Sequence, residues 1–359
     1  MKLKVVRPLN LVKKTETEEK PQKEMEVLDI SENNSISSLM DKSIAISNEC
    51  EDFMVSNATV NNIRFNETAG LSYTADDGSI HHSPISHFAL GQLGIKLGVP
   101  ARYLEKCVAS GRIDLAQSNV NSWLEDYNKD LFLREYRGGV RGVLSSKYSV
   151  CDTHEILEVV DDAVDLSKYK VKGAFLNEER LHVRLVSREM LPIDGEDLFA
   201  GIFIDSSDVG RSILTVKFGI YKQVCTNGLV ISRAGGILFN QKHIGISAEE
   251  FHSGLVASVQ NIDVLTDHAV EWVQLAKSKS NYGYNVNNLS EDDMKDFLSR
   301  IKAVTNLPDT HTSKVIDLMR EKYDSSRWGL INSITEVAQD FSLERRLDLE
   351  AIAGNLLVG

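Results

Sequence analysis

Apolar positions change their spacing several times along the chain, and each change predicts a new element. Residues 13–26 are almost entirely Lys, Glu, Thr, Gln and Pro and offer little to bury, so residues 1–40 read as a poorly ordered tail. Short strands are expected within 57–73, followed by a turn at Asp76-Asp77-Gly78. Helical spacing then runs over 84–111 in two pieces. Ser86 caps the first piece, and Gly98-Val99-Pro100 breaks it before the second. A third helix is expected over 114–127, with Leu115, Val120 and Trp123 among its apolar residues.

Period-two alternation follows. Residues 131–136 and 140–148 are β-prone and flank Arg137-Gly138-Gly139, where Gly-Gly suits a tight turn that needs positive φ. Asp152 or Thr153 can cap a helix reaching 164. Two further hairpins are expected: 168–175 with 180–188 around Asn177-Glu178-Glu179, and 198–204 with 213–224 around the loop 205–210. Cys225-Thr226-Asn227-Gly228 reads as an Asn-Gly turn. Helical periods then return. Ser247-Ala248-Glu249-Glu250 is a capping box opening a helix toward 279, and further helices are expected over 291–304, after Pro308-Asp309-Thr310, over 327–341 and from Ser342 to 357. The fold class is therefore α+β: an antiparallel sheet of hairpins with an inserted helix, N-terminal helices and a C-terminal helical region. The expected division is a tail at 1–40, an α+β core at 41–245 and a helical region at 246–359.

Composition narrows the function classes. The net charge of −12, from 52 acids against 40 bases, excludes a surface that is basic all over. A nucleic-acid or lipid ligand would need a local basic face, since salt screens charge beyond about 10 Å. Cys50, Cys107, Cys151 and Cys225 share no metal-ligand spacing and imply inert thiols in a reducing compartment. The N-terminus has basic residues without an apolar segment behind them, so no signal peptide is expected, and no uncharged apolar run approaches 20 residues, so no membrane partner is expected.

The strongest chemical signal lies in the hairpin at 168–188. In Lys168-Tyr169-Lys170-Val171-Lys172 the lysines alternate with Tyr169 and Val171, and Arg180-Leu181-His182-Val183-Arg184-Leu185 alternates in the same way. Burying Tyr169 and Val171 beside Val183 and Leu185 selects the register, because a one-residue slip would set leucines opposite lysines. Lys168, Lys170 and Lys172 then share a face with Arg180, His182 and Arg184. Like charges across a strand pair cost a few tenths to about 1 kcal/mol each, so an anion on that face would relieve a real penalty. Lys217 and Tyr221 of the last long strand would extend the face, the ring offering a stacking platform. The competing reading is a plain solvated sheet face balanced by glutamates from elsewhere. Arg134, Arg137, Arg141 and Lys147 in the preceding hairpin are further candidates for contacting phosphates.

Other signals are weaker. Residues 93–104 fit a helix-turn-helix that leaves Arg102 and Lys106 free, but Gly91 and Gly94 weaken its first helix, and an ordinary helical hairpin fits as well. The histidines form no ligand set, and there is no HExxH, GxSxG, P-loop or strand-linked GxGxxG. Ser146 and Lys147 would diverge on a strand. Trp123, Trp272 and Trp328 are expected in the core. No cofactor, metal or catalytic residue is predicted.

The run from Leu133-Arg134 to Arg141-Gly142-Val143-Leu144-Ser145-Ser146-Lys147-Tyr148 resembles the phage/plasmid-like family called domain of unknown function 932. Upstream Leu97-Gly98-Val99-Pro100-Ala101-Arg102-Tyr103-Leu104 and downstream Val224-Cys225-Thr226-Asn227-Gly228-Leu229-Val230 and Trp328-Gly329-Leu330-Ile331-Asn332-Ser333-Ile334-Thr335-Glu336 add to it, in the right order. The resemblance implies a mobile-element product in a bacterial host cytoplasm and supplies no catalytic residues. The strand–strand–helix–hairpin order is also similar in topology to single-strand annealing recombination proteins, an analogy of fold only. The expectation is a non-enzymatic binder of single-stranded nucleic acid, a homo-oligomer of annealing type. The alternative is a protein–protein module acting on a host or defence factor.

Overall fold

The computed structural model describes residues 36–222, 227–230, 236–242, 247–279 and 283–358, and the structural statements below concern these. Most of the expected tail and the Cys225-Thr226 half of the Asn-Gly turn lie outside them. Helix α1 (Ile36–Ser47) is followed by β1 (Cys50–Ala58), β2 (Ile63–Phe65), β3 (Gly70–Thr74) and β4 (Ile80–Pro84), then α2 (His87–Leu97), α3 (Ala101–Ala109), α4 (Ile113–Leu124), β5 (Lys129–Tyr136) and β6 (Gly139–Ser145). Strands β1-β5-β6 form one antiparallel sheet and β2-β3-β4 another.

Local chemistry explains these boundaries. Ser86 Oγ accepts the Ala89 amide at the start of α2, and Gly98 ends that helix at φ +72°. Gly94 is needed where α3 crosses: a Cβ there would stand 2.8 Å from the Val99 carbonyl oxygen. Gly94, which weakens a helix-turn-helix reading, thus serves close helix packing, whereas a Cβ at Gly91 would make only ordinary contact with Ala101. The β5–β6 turn is Arg137-Gly138, both at positive φ, so Gly139 already belongs to the strand.

The second half contains α5 (Thr153–Ala163), β7 (Tyr169–Leu176), β8 (Leu181–Met190), β9 (Leu198–Ser206), β10 (Leu214–Lys222), β11 (Asn227–Val230) and β12 (Ile237–Gln241). Helices α6 (Ala248–Gln260), α7 (Ile262–Ser278), α8 (Glu291–Thr305), α9 (Asp309–Glu321), α10 (Arg327–Val337) and α11 (Leu343–Val358) follow. The main sheet runs β11-β10-β9-β8-β7, with β12 also paired to β10, every neighbour antiparallel. The chain is an α+β protein with antiparallel sheets. The capping box at Ser247 predicts one helix toward 279, but two form, α6 and α7, joined at Asn261.

Two apolar clusters organise the molecule, and they do not follow the boundary expected at residue 245. One gathers residues from Val55 to Val143. The other gathers α1, α5, the main sheet and the C-terminal helices. The C-terminal helices therefore have no separate core: Val183, Ile202, Ile204, Val216 and Phe218 of the sheet pack in one cluster with Ile156 of α5, Phe251 of α6 and Leu349 of α11. Strands β5 and β6, expected alongside the later hairpins, belong to the first cluster's sheet with β1.

Candidate functional site

The basic strand pair has the expected register over its first part: Val171 lies opposite Leu185 and Lys170 opposite Val186. A bulge then sets Gly173 against Arg184, so Lys172 drops out of strict alternation. The face carries on through β9 and β10, where His182 pairs with Asp205 and Asp205 with Thr215, and Arg184 pairs with Phe203 and Phe203 with Lys217.

The sheet face is not an open track of cations. His182, Arg184 and Tyr221 are buried, and Lys170, Lys172, Arg180 and Lys217 are half-buried; Lys168 alone of the eight is exposed. Carboxylates meet the buried charges one by one. Asp205 accepts from His182 Nδ1 at 2.9 Å and from Arg180 Nη2 at 3.1 Å, and Lys217 Nζ lies 3.8 Å away. Arg184 Nη2 donates to Glu350 Oε2 of α11 at 2.7 Å, its Nε donates to His182 Nε2 at 3.1 Å, and Arg346 Nε donates to Glu350 Oε1 at 3.0 Å. Burial pushes the Asp205 carboxyl up, but His182, Lys217 and Arg180 outweigh it and hold it well below the usual carboxylate range. Lys170 Nζ lies over the Phe199 ring at 5.8 Å and the Arg184 guanidinium over Phe203 at 5.6 Å. The face lies where the alternation places it, but it is not open to water: Asp205 of β9 meets His182, Arg180 and Lys217, and α11 lays Glu350 against Arg184.

The second group of candidates separates in the same way. Arg134 is only 2% exposed; it donates to Asp52 Oδ1 at 2.8 Å, Asp152 Oδ1 at 2.9 Å and the Asp208 carbonyl at 2.9 Å. Arg141 is buried, donates to the Glu178 carbonyl and lies 3.8 Å from Asp208. Arg137 is exposed and paired with Glu49. Lys147 is exposed. Arg134 joins the two clusters instead of facing a ligand: Asp52 is on β1, Asp152 caps α5, and Asp208 is in the loop between β9 and β10.

That loop also meets the first cluster at a cleft of about 420 Å³. Phe88, Gln92, Ile95 and Lys96 of α2 form one wall, Val143, Leu144, Ser145 and Tyr148 another, and Gly210, Ser212, Ile213 and Lys242 complete it. Gln92 fixes the junction: its Nε2 donates to the Val209 carbonyl at 2.7 Å and its Oε1 accepts the Val143 amide at 2.8 Å. Tyr148 donates to the Ser207 carbonyl at 2.9 Å. Gly210, at φ +73°, keeps the floor low, since a Cβ there would stand 3.2 Å from Leu144 Cδ2. The Ser212 hydroxyl is buried and has no hydrogen-bond partner among the described residues. Partial burial, with the neighbouring Lys129 charge adding to it, lowers the Lys96 ammonium below the ordinary lysine range. Among the described residues, no carboxylate pairs with Lys96, Lys129, Lys147 or Lys242, so these four differ from Arg180, His182, Arg184 and Lys217 of the sheet. Of them only Lys147 was singled out by sequence; the others carry no motif, and only tertiary contact gathers Lys96 and Lys242.

The described residues hold no group of His, Cys, Asp and Glu able to bind a metal. Trp328 is buried and donates to Glu196 at 2.6 Å, but Trp123, expected in the core, is 58% exposed. Cys50, Cys107 and Cys151 are free thiols, and burial pushes Cys151 up to about 12. Native protein at pH 8 should leave Cys151 unmodified by iodoacetamide while urea-unfolded protein is alkylated, read by peptide mass. Prompt alkylation of the native thiol would contradict the burial argument.

Fold and site together define a two-core α+β protein with an apolar, lysine-rimmed cleft at the junction. The chain belongs to the family described as a domain of unknown function, DUF932, whose sequence model matches residues 140–351. No curated protein and no solved structure matches the chain. No described helix is long and apolar enough to cross a membrane.

Proposed function

We propose that the protein is a non-enzymatic binder of single-stranded nucleic acid that uses the junction cleft, with Lys96 and Lys242 at phosphates and an unstacked base against Phe88, Ile95 and Tyr148. The observation that carries this reading is the contrast in charge pairing. The buried sheet cations are met by Asp205 and Glu350, whereas the cleft lysines have no carboxylate partner among the described residues. An apolar wall beside uncompensated cations suits a ligand with flat rings and a charged backbone. The implied setting is a mobile element in a bacterial cytoplasm, with oligomeric annealing as the natural activity.

The test is titration of a fluorescent single-stranded oligonucleotide at several salt concentrations. Affinity should fall linearly in log–log form, with a slope of about −0.7 for each phosphate contacted. Lys96→Glu with Lys242→Glu should weaken binding roughly tenfold or more, about 1.4 kcal/mol. Lys295→Glu on the exposed surface of α8 should not. Salt-independent binding, or a double variant that binds like the parent, would count against the cleft.

One observation favours the protein-partner reading. Tyr103, Leu115 and Trp123 on α3 and α4 are all exposed, which is unusual for large apolar side chains placed so near each other in the chain. A partner captured from nuclease-treated lysate by the parent but not by Trp123→Ser would support it.

A further inference from the structure

Lys96 combines three features seldom found on one lysine. It lines a cleft of about 420 Å³ that is otherwise mostly apolar. It is partly desolvated, and the charge of Lys129 further disfavours its ammonium form. No acceptor holds its Nζ among the described residues. Desolvation in an apolar pocket and a neighbouring cation are the two means by which proteins convert a lysine into an amine nucleophile at neutral pH. Ser212 also lines this cleft, and its hydroxyl is buried without a partner among the described residues.

We propose that Lys96 is a reactive amine that condenses with an aldehyde seated in the cleft, whose apolar body packs on Phe88, Ile95 and Ile213 and whose anionic group meets Lys242. The Nζ lone pair adds to the carbonyl carbon, and one of the two amine protons passes to the carbonyl oxygen to give a carbinolamine. The C–O bond then breaks as the nitrogen gives up its remaining proton, so amine and aldehyde become imine and water with no net change of oxidation state. Lys129 acts as a positioning charge: it favours the neutral amine without touching the ligand. The proposal shares the cleft with the nucleic-acid reading but needs no nucleic acid.

The test uses the full chain at pH 7 with pyridoxal 5′-phosphate as probe, an aromatic aldehyde bearing phosphate, followed by borohydride reduction and peptide mass mapping. Lys96 should be labelled roughly tenfold faster than the exposed Lys295, and Lys129→Gln should slow labelling of Lys96 a few-fold. Lys242→Met should slow labelling by the phosphate-bearing probe more than by benzaldehyde. Labelling that follows solvent exposure, with Lys295 ahead of Lys96, overturns the proposal, as does a Lys129→Gln chain labelled like the parent. Selective labelling without oligonucleotide binding would sink the nucleic-acid reading alone; oligonucleotide binding without selective labelling would sink this one alone.

Discussion

Replacing Arg134 with methionine is expected to lower the stability of the protein by about 3–5 kcal/mol, the scale seen when one member of a buried ion pair is removed. Arg134 is 2% exposed and neutralises Asp52 and Asp152 while also binding the Asp208 carbonyl. Its own guanidinium loses favour by burial, but Asp152, Asp52 and Asp208 more than compensate and hold it firmly protonated. Without it, the Asp52 and Asp152 carboxylates remain close together, beside an Asp208 whose pKa burial has already raised. The loss should appear as a lower urea midpoint. Because the side chain bridges two cores, it should also appear as an earlier transition for one of them. Asp152→Asn in the same chain should recover about 1–2 kcal/mol, since it removes one stranded charge and asparagine still caps a helix. A single variant that loses less than about 1 kcal/mol would contradict the argument.

The second large effect lies at the other end of the chain. Glu350→Ala is expected to cost about 3–5 kcal/mol, because Glu350 is fully buried and holds both Arg184 and Arg346. The desolvated Arg184 would be left with the Phe203 face and His182, neither of which carries a negative charge. Strand β8 and helix α11 should then separate more readily, read as faster proteolysis near the C-terminus. Replacing both partners, Arg184→Met with Glu350→Leu, should restore most of the stability, since apolar volume replaces the fully buried pair and the remaining partner, Arg346, is 23% exposed and can turn to water. A double variant no better than Glu350→Ala would show that the pair itself, and not the stranded charge, supplies the stability.

Particular residues show why some of the site was legible and some was not. The alternation of Lys170, His182 and Arg184 against Tyr169, Val183 and Leu185 identified a polar sheet face, because strand geometry ties face to parity. It could not show what covers that face. Glu350 stands 166 residues from Arg184, and its only local sign is its place beside the buried Leu349 and Ala353 on α11. Arg134 looked like a candidate phosphate ligand because a lone arginine in a hairpin has the same appearance whether its partner is a phosphate or Asp152. The cleft was less legible still. Lys96 lies in an ordinary helix, Lys242 follows a short strand, and neither belongs to a motif.

What the sequence by itself determined is local and periodic. The Ser86, Asp152, Ser247 and Ser290 caps, the tight turn before Gly139 and the parity of β7 to β10 all follow from interactions within a few residues or from a period of two. Only the tertiary structure decided which charges are paired, which aromatic rings face water and where a ligand-sized space remains. Those outcomes depend on contacts between segments far apart in the chain, 25 residues for Asp205 with Arg180 and 166 for Glu350 with Arg184. A side chain's charge is written in the chain, but its solvation is set by whatever packs upon it.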